Sequence, residues 1–237
     1  MKYKKATIYF SSPRLERYLI AVNNNKQEAL KLYKSNLKVA QAFHPLLGVL
    51  EVSLRNSLNE KLSDFFSDED WIINQKNGFM SDPGLTFIDK KTSKKTNNYF
   101  LKKSIEKSEK RFIRLGKSIT SGKIIADQSL GFWTDLFEIH HYKILKGRPI
   151  QIFKSLPPQH GRSEVCERLN KIRLFRNRIQ HNEPICFDNR LINFNYSEEI
   201  YSSILDILNW IDPDLTEFIN KLDNVKFSIS RAKSKFN

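Results

Sequence analysis

Residues 171–184 read KIRLFRNRIQHNEP, and the placement of the arginines in this stretch decides how the chain folds around it. At about 100° per residue, a helix over 162–181 puts Val165, Leu169, Ile172 and Ile179 on one core-facing stripe, with Phe175 at its edge. Arg176 projects into that same stripe. A guanidinium is costly there unless it is paired or opens onto a polar cleft. Alongside run Arg173, Asn177, Gln180 and His181, and Asn177 and His181 are neighbours as i and i+4. One edge of the helix therefore offers a permanent cation, a carboxamide and a titratable imidazole. A plainer arrangement fits the same spacing: Arg176 snorkels outward or pairs with a carboxylate, and His181 closes the helix end.

A second polar intrusion lies upstream. In HPLLGVLEVSLRNSLNEKL (44–62), Leu47, Leu50, Leu54, Leu58 and Leu62 form an apolar ridge. Glu51 and Arg55 stand one turn apart beside it with Asn56 next to them, so Glu51 pairs with Arg55 or serves as counter-ion to Arg176. The helical period runs from Lys26 to Phe66, and Pro45 is expected to split or kink it. Before it, Ser12 and Pro13 start a short helix. Beyond it, residues 67–84 break the period, 89–98 read as a basic, mobile segment, and a charged helix follows. SLGFWTDLFEIHHYKIL (129–145) is apolar enough to be packed inside. A loop over 146–161 precedes the 162–181 helix, which Pro184 ends. Two more helices lead to a basic tail at 226–237. No lasting strand alternation occurs, so the expectation is an all-α fold with residues 1–237 as a single domain.

Composition narrows the function. The 237 residues carry 40 Lys+Arg against 26 Asp+Glu, a formal net charge of +14, which makes a polyanion, nucleic acid first of all, the default partner. Two cysteines, Cys166 and Cys186, lack CxxC spacing and read as small apolar residues in a reducing cytoplasm. Neither a secretory signal nor a membrane-spanning apolar run is visible. His140 and His141 point about 100° apart on a helix, without a third ligand at metal-site spacing, so no metal and no cofactor is expected. Phe132 and Trp133 suit a core better than a base-stacking platform. Phosphate-binding glycine motifs are absent from the sequence, which disfavours a nucleotide-driven motor or a Rossmann enzyme.

RNRIQH (176–181) resembles the R-x-x-x-x-H signature of HEPN domains, with Arg176, Asn177 and His181 in the motif positions. LLGVLEVSLRNSL, SLGFWTDLF and LFRNRIQHNEPI, in that order between about residues 44 and 185, together resemble the Abi-like, abortive-infection group of that superfamily. The resemblance implies a HEPN-type helical bundle with extra N- and C-terminal helices, working as a homodimer and a metal-independent endoribonuclease. It also implies a toxin held in check by an RNA or protein antitoxin. In that reading Arg176 binds the scissile phosphate, His181 is the general acid or base, and Asn177 positions phosphate or imidazole. Glu51, Arg55, Asn56, Arg173 and Gln180 support the site or hold RNA. The alternative is a non-catalytic HEPN-like protein that holds RNA or a nucleotide and regulates without cutting.

Overall fold

The computed structural model describes residues 1–88 and 92–236. Residues 89–91 of the basic 89–98 segment, and residue 237 of the tail, lie outside the described residues. The chain is mostly helical, with two short antiparallel two-stranded sheets. The described residues divide into two compact units, one of residues 1–49, 174–206 and 214–237, the other of 50–173 and 207–213.

Among the described residues, the helices Lys26–Phe66, Arg162–Gln180 and Asn195–Ile211 each contribute to both units. α3 runs unbroken over Lys26–Phe66 with Pro45 inside it, so the expected split does not occur. Pro45 deprives the Gln41 carbonyl of its usual donor. The helix is held through that gap by burial on either side, since Phe43, Leu46 and Leu47 are all in the core. The remaining leucines of the ridge, Leu50, Leu54, Leu58 and Leu62, are fully buried as expected.

The first unit opens with α1 (Tyr3–Phe10), which the sequence reading missed, and α2 (Ser12–Ala21). Its other parts are the end of α9 (Arg162–Gln180), a tiny β3–β4 hairpin (Phe187–Asp188 with Leu191–Ile192), the larger part of α10 (Asn195–Ile211), α11 (Pro213–Asn220) from its second residue and α12 (Val225–Lys233). Aromatic rings knit its core: Tyr18 packs on Tyr33 and Phe187, and Phe175 on Phe43 and Tyr196. The basic tail is a helix. Val225, Ile229 and Ala232 bury one face of α12, and Lys233 pairs with Glu198 at 2.8 Å.

The second unit packs α4 (Trp71–Asn74), the β1–β2 hairpin (Thr86–Ile88 with Lys95–Asn97), α5 (Phe100–Arg114), α6 (Ser121–Asp127), α7 (Leu130–Asp135) and α8 (Ile139–Ile144) around the end of α3 and the start of α9. Residues 95–97, expected to be loose, are exposed but pair as a strand, with the Thr86 hydroxyl donating to Asn97 Oδ1 at 2.6 Å. α5 is the expected charged helix, and it is amphipathic, with Leu101, Ile105 and Phe112 buried. Phe132 and Trp133 lie wholly in the core. His141 is also buried there, its Nδ1 3.0 Å from the Asp135 carboxylate, whereas His140 stacks on Phe87.

Burial also sets the cysteine chemistry. Burial first, then the Glu138 carboxylate beside it, pushes the Cys166 thiol up to about 11. Burial likewise pushes Cys186 up to about 12. Thiolate, the reactive form, is therefore scarce near neutral pH. Native protein treated with a disulfide exchange reagent at pH 8 should show no fast-reacting thiol, and both cysteines should react once guanidinium unfolds it. A prompt stoichiometric reaction of either in the native state would contradict this packing.

Candidate functional site

The end of α9 carries the first group of candidate residues. Phe175 and Ile179 bury their side of the helix, and so do Val165, Leu169 and Ile172 on the earlier turns. Arg176, in the middle of that stripe, does not stay within it. It is half-buried, and its Nη1 donates to Oε1 of exposed Gln180 at 2.9 Å. The guanidinium thus runs out along its own helix toward solvent, as a long stem with a polar head allows.

Ideal helix geometry fixes how the other groups lie around it. Counting about 100° per residue from Arg176, Gln180 falls at about 40°, Asn177 at about 100° and His181 at about 140°. These four side chains share one arc, on which Arg176 and Asn177 are half-buried and Gln180 and His181 exposed. Arg176 and His181 stand at opposite limits of the arc, about 7.5 Å apart along the axis. Among the described residues, the His181 imidazole has no hydrogen bond or ion pair.

How α9 ends explains why His181 is held where it is. Its N–H still donates to Asn177 O at 3.0 Å, closing the last helical turn. Asn182 then takes a left-handed conformation, φ 51°. Its N–H reaches back to Ile179 O at 3.0 Å, and Glu183 N–H reaches Arg178 O at 2.8 Å. That pair of bonds is a Schellman ending with His181 as the C-cap and Asn as the left-handed residue. The usual apolar clasp across such an ending is replaced by polar contacts. Arg178 donates to Pro184 O at 2.5 Å, and its Nε lies 3.8 Å from the Glu183 carboxylate.

Two residues from far along the chain complete the ending, and neither has a local sign in the residues around it. Arg14, on α2, donates through Nη1 to the carbonyls of His181, 3.2 Å, and Asn182, 2.7 Å. It places a cation at the negative end of the α9 dipole. Asn36, fully buried on α3, accepts the Ile185 N–H at 2.8 Å, while Ser197 donates to Ile185 O at 2.7 Å. Asn182, by contrast, could have been found, because Asn after the last helical residue is a standing signal for this ending.

The remaining candidates belong to the second unit. Arg55 donates to its neighbour Asn56 at 3.4 Å. Glu51 and Arg55 are half-buried and Asn56 is exposed. Arg173 donates to Asn170 Oδ1 at 3.2 and 3.3 Å, and Asn170 in turn donates to Glu138 at 3.0 Å. Of the eight candidates, then, Arg176 and Gln180 are directly joined, Asn177 and His181 share their arc, and the other four belong to the second unit. Among the described residues, no group of three or more His, Cys, Asp or Glu side chains is gathered as a metal site.

Because Asn182 sits at positive φ, Asn182→Gly should leave stability nearly unchanged. Asn182→Val should lower it by about 1–3 kcal/mol, the usual cost of forcing a β-branched residue there, read from denaturant unfolding. Equal midpoints for the two variants would contradict the helix ending described here. Comparison of the chain with protein-family models, with curated proteins and with solved structures finds no match.

Proposed function

We propose that this protein is a metal-independent endoribonuclease of the HEPN type, similar to the Abi-like abortive-infection proteins, and that it acts as the toxin of a toxin–antitoxin pair in the cytoplasm. What carries the reading is the unengaged, exposed imidazole of His181, held rigidly at the close of α9 on one arc with Asn177 and Arg176. The formal net charge of +14 supports RNA as the substrate. No helix among the described residues is long and apolar enough to cross a membrane.

RNA brings its own nucleophile, the 2′-hydroxyl, so the protein needs only proton transfer and charge stabilisation. His181 takes the 2′-hydroxyl proton or protonates the 5′-oxygen as it leaves. Arg176 binds the scissile phosphate and offsets the extra charge of the pentavalent transition state. To do so it exchanges its Gln180 contact for phosphate oxygens. Asn177, one turn before His181, orients the phosphate or the ring. The products carry 2′,3′-cyclic phosphate and 5′-hydroxyl ends.

The divergence of Arg176 and His181 around the helix favours a homodimer. Two facing α9 helices would set the arginine of one copy beside the histidine of the other and supply two imidazoles for the two proton transfers. The same divergence is also what a non-catalytic RNA binder would tolerate, and that is the second reading.

Incubation of the protein with end-labelled RNA in EDTA separates them. Cleavage to cyclic-phosphate ends is expected, with Arg176→Ala and His181→Ala each slower by about 10²–10⁴-fold, the range for loss of an acid–base or charge-stabilising group. Binding without cutting by the unaltered chain would leave the binder. Cutting at full rate by His181→Ala would end the proposed chemistry.

A further inference from the structure

A second basic feature lies in the first unit, away from the residues discussed so far. α3 and α12 border an open groove of about 350 Å³. On α3 its wall is Lys38, Gln41 and Pro45, at i, i+3 and i+7. On α12 it is Phe227 and Arg231, at i and i+4, and Lys235 follows in the turn just beyond the helix. Helical spacing of this kind puts the helical members of each set on a single face.

The charges in the groove are uncompensated. Lys38, Arg231 and Lys235 are exposed, and among the described residues none of the three side chains has a hydrogen bond or ion pair. The lining includes no carboxylate. Two carboxylates that contact α12 or its start are used elsewhere: Glu198 pairs with Lys233, and Asp223 accepts the Tyr201 hydroxyl and the Val225 N–H. Beside these cations Phe227 stands 61% exposed, although an apolar ring of its size gains by burial. Pro45 adds an unusual acceptor, since the Gln41 carbonyl on this wall has lost its helical donor.

We propose that this groove holds a single strand of nucleic acid, with backbone phosphates on Lys38, Arg231 and Lys235 and one base against the Phe227 ring. Exposed aromatics interleaved with cations are the arrangement that binds unpaired strands, because every base has a face to stack and every linkage a charge to neutralise. Three cations spread along the groove suit successive phosphates of a strand better than a single small anion. The site is separate from the α9 arc and stands whether or not that arc cuts.

The test measures fluorescence anisotropy of the full chain with a short labelled 2′-O-methyl oligoribonucleotide in EDTA, a probe that cannot be cleaved through its 2′ position. The double variant Arg231→Glu/Lys235→Glu should weaken binding roughly tenfold or more and reduce the salt slope by roughly 1.4, two single-strand phosphate contacts' worth. Phe227→Ala should weaken it roughly fivefold or more, the loss of one stacked base. The double variant Lys4→Glu/Lys5→Glu, which makes the same charge change on exposed positions of α1, should have a much smaller effect. DNA of the same sequence should bind comparably to the RNA probe as a single strand and less tightly as a duplex. Equal weakening by the two double variants would reduce the effect to bulk charge and overturn the proposal. So would unchanged binding by Phe227→Ala, or a free mononucleotide that competes as well as the strand. Circular dichroism of each variant checks that the exposed substitutions leave the helices intact.

Discussion

A helix that stops must satisfy its last carbonyls, and the first unit is arranged around how α9 does this. The backbone reverses at Asn182, two amides fold back onto Arg178 and Ile179, and Arg14 covers the carbonyls that are left. Asn36 and Ser197 then take both polar groups of Ile185 immediately beyond. The result is a helix end with little freedom to fray. It carries an imidazole whose backbone is fixed on both sides, while its ring has no partner of its own. A group held this way is available to an incoming molecule without a cost in ordering the chain.

Much of this architecture could be read from the residues. The stripe of Val165, Leu169, Ile172 and Ile179 is buried, the leucine ridge of α3 is in the core, and both cysteines behave as small apolar residues. These follow from periodicity, which is local and strong. What escaped was of two kinds. Pro45 by its intrinsic preference allows a split or a kink, and the unbroken helix, packed on both sides, excludes the split. The tail at 226–237 was read by its charge, but Val225, Ile229 and Ala232 recur at helical spacing and anchor it.

The site shows the same division. Arg176 was rightly placed on the apolar stripe, but its head group's course to Gln180 is a rotamer choice that spacing leaves open. Arg55 turning to Asn56 is another such choice. Arg14 and Asn36 could not have been found, because each acts on residues some 150 or more positions away along the chain. Such pairings depend on tertiary arrangement, and nothing in the neighbouring residues announces them.

That separation has a consequence for how the protein comes into being. Arg14 and Asn36 leave the ribosome long before His181, Asn182 and Ile185 do, and they remain without these partners until that stretch has been made. Closing so long a loop is slow compared with forming local helices. The α9 ending therefore matures later than the local helices before it, and a nascent chain lacks the rigid histidine platform until this stretch has emerged.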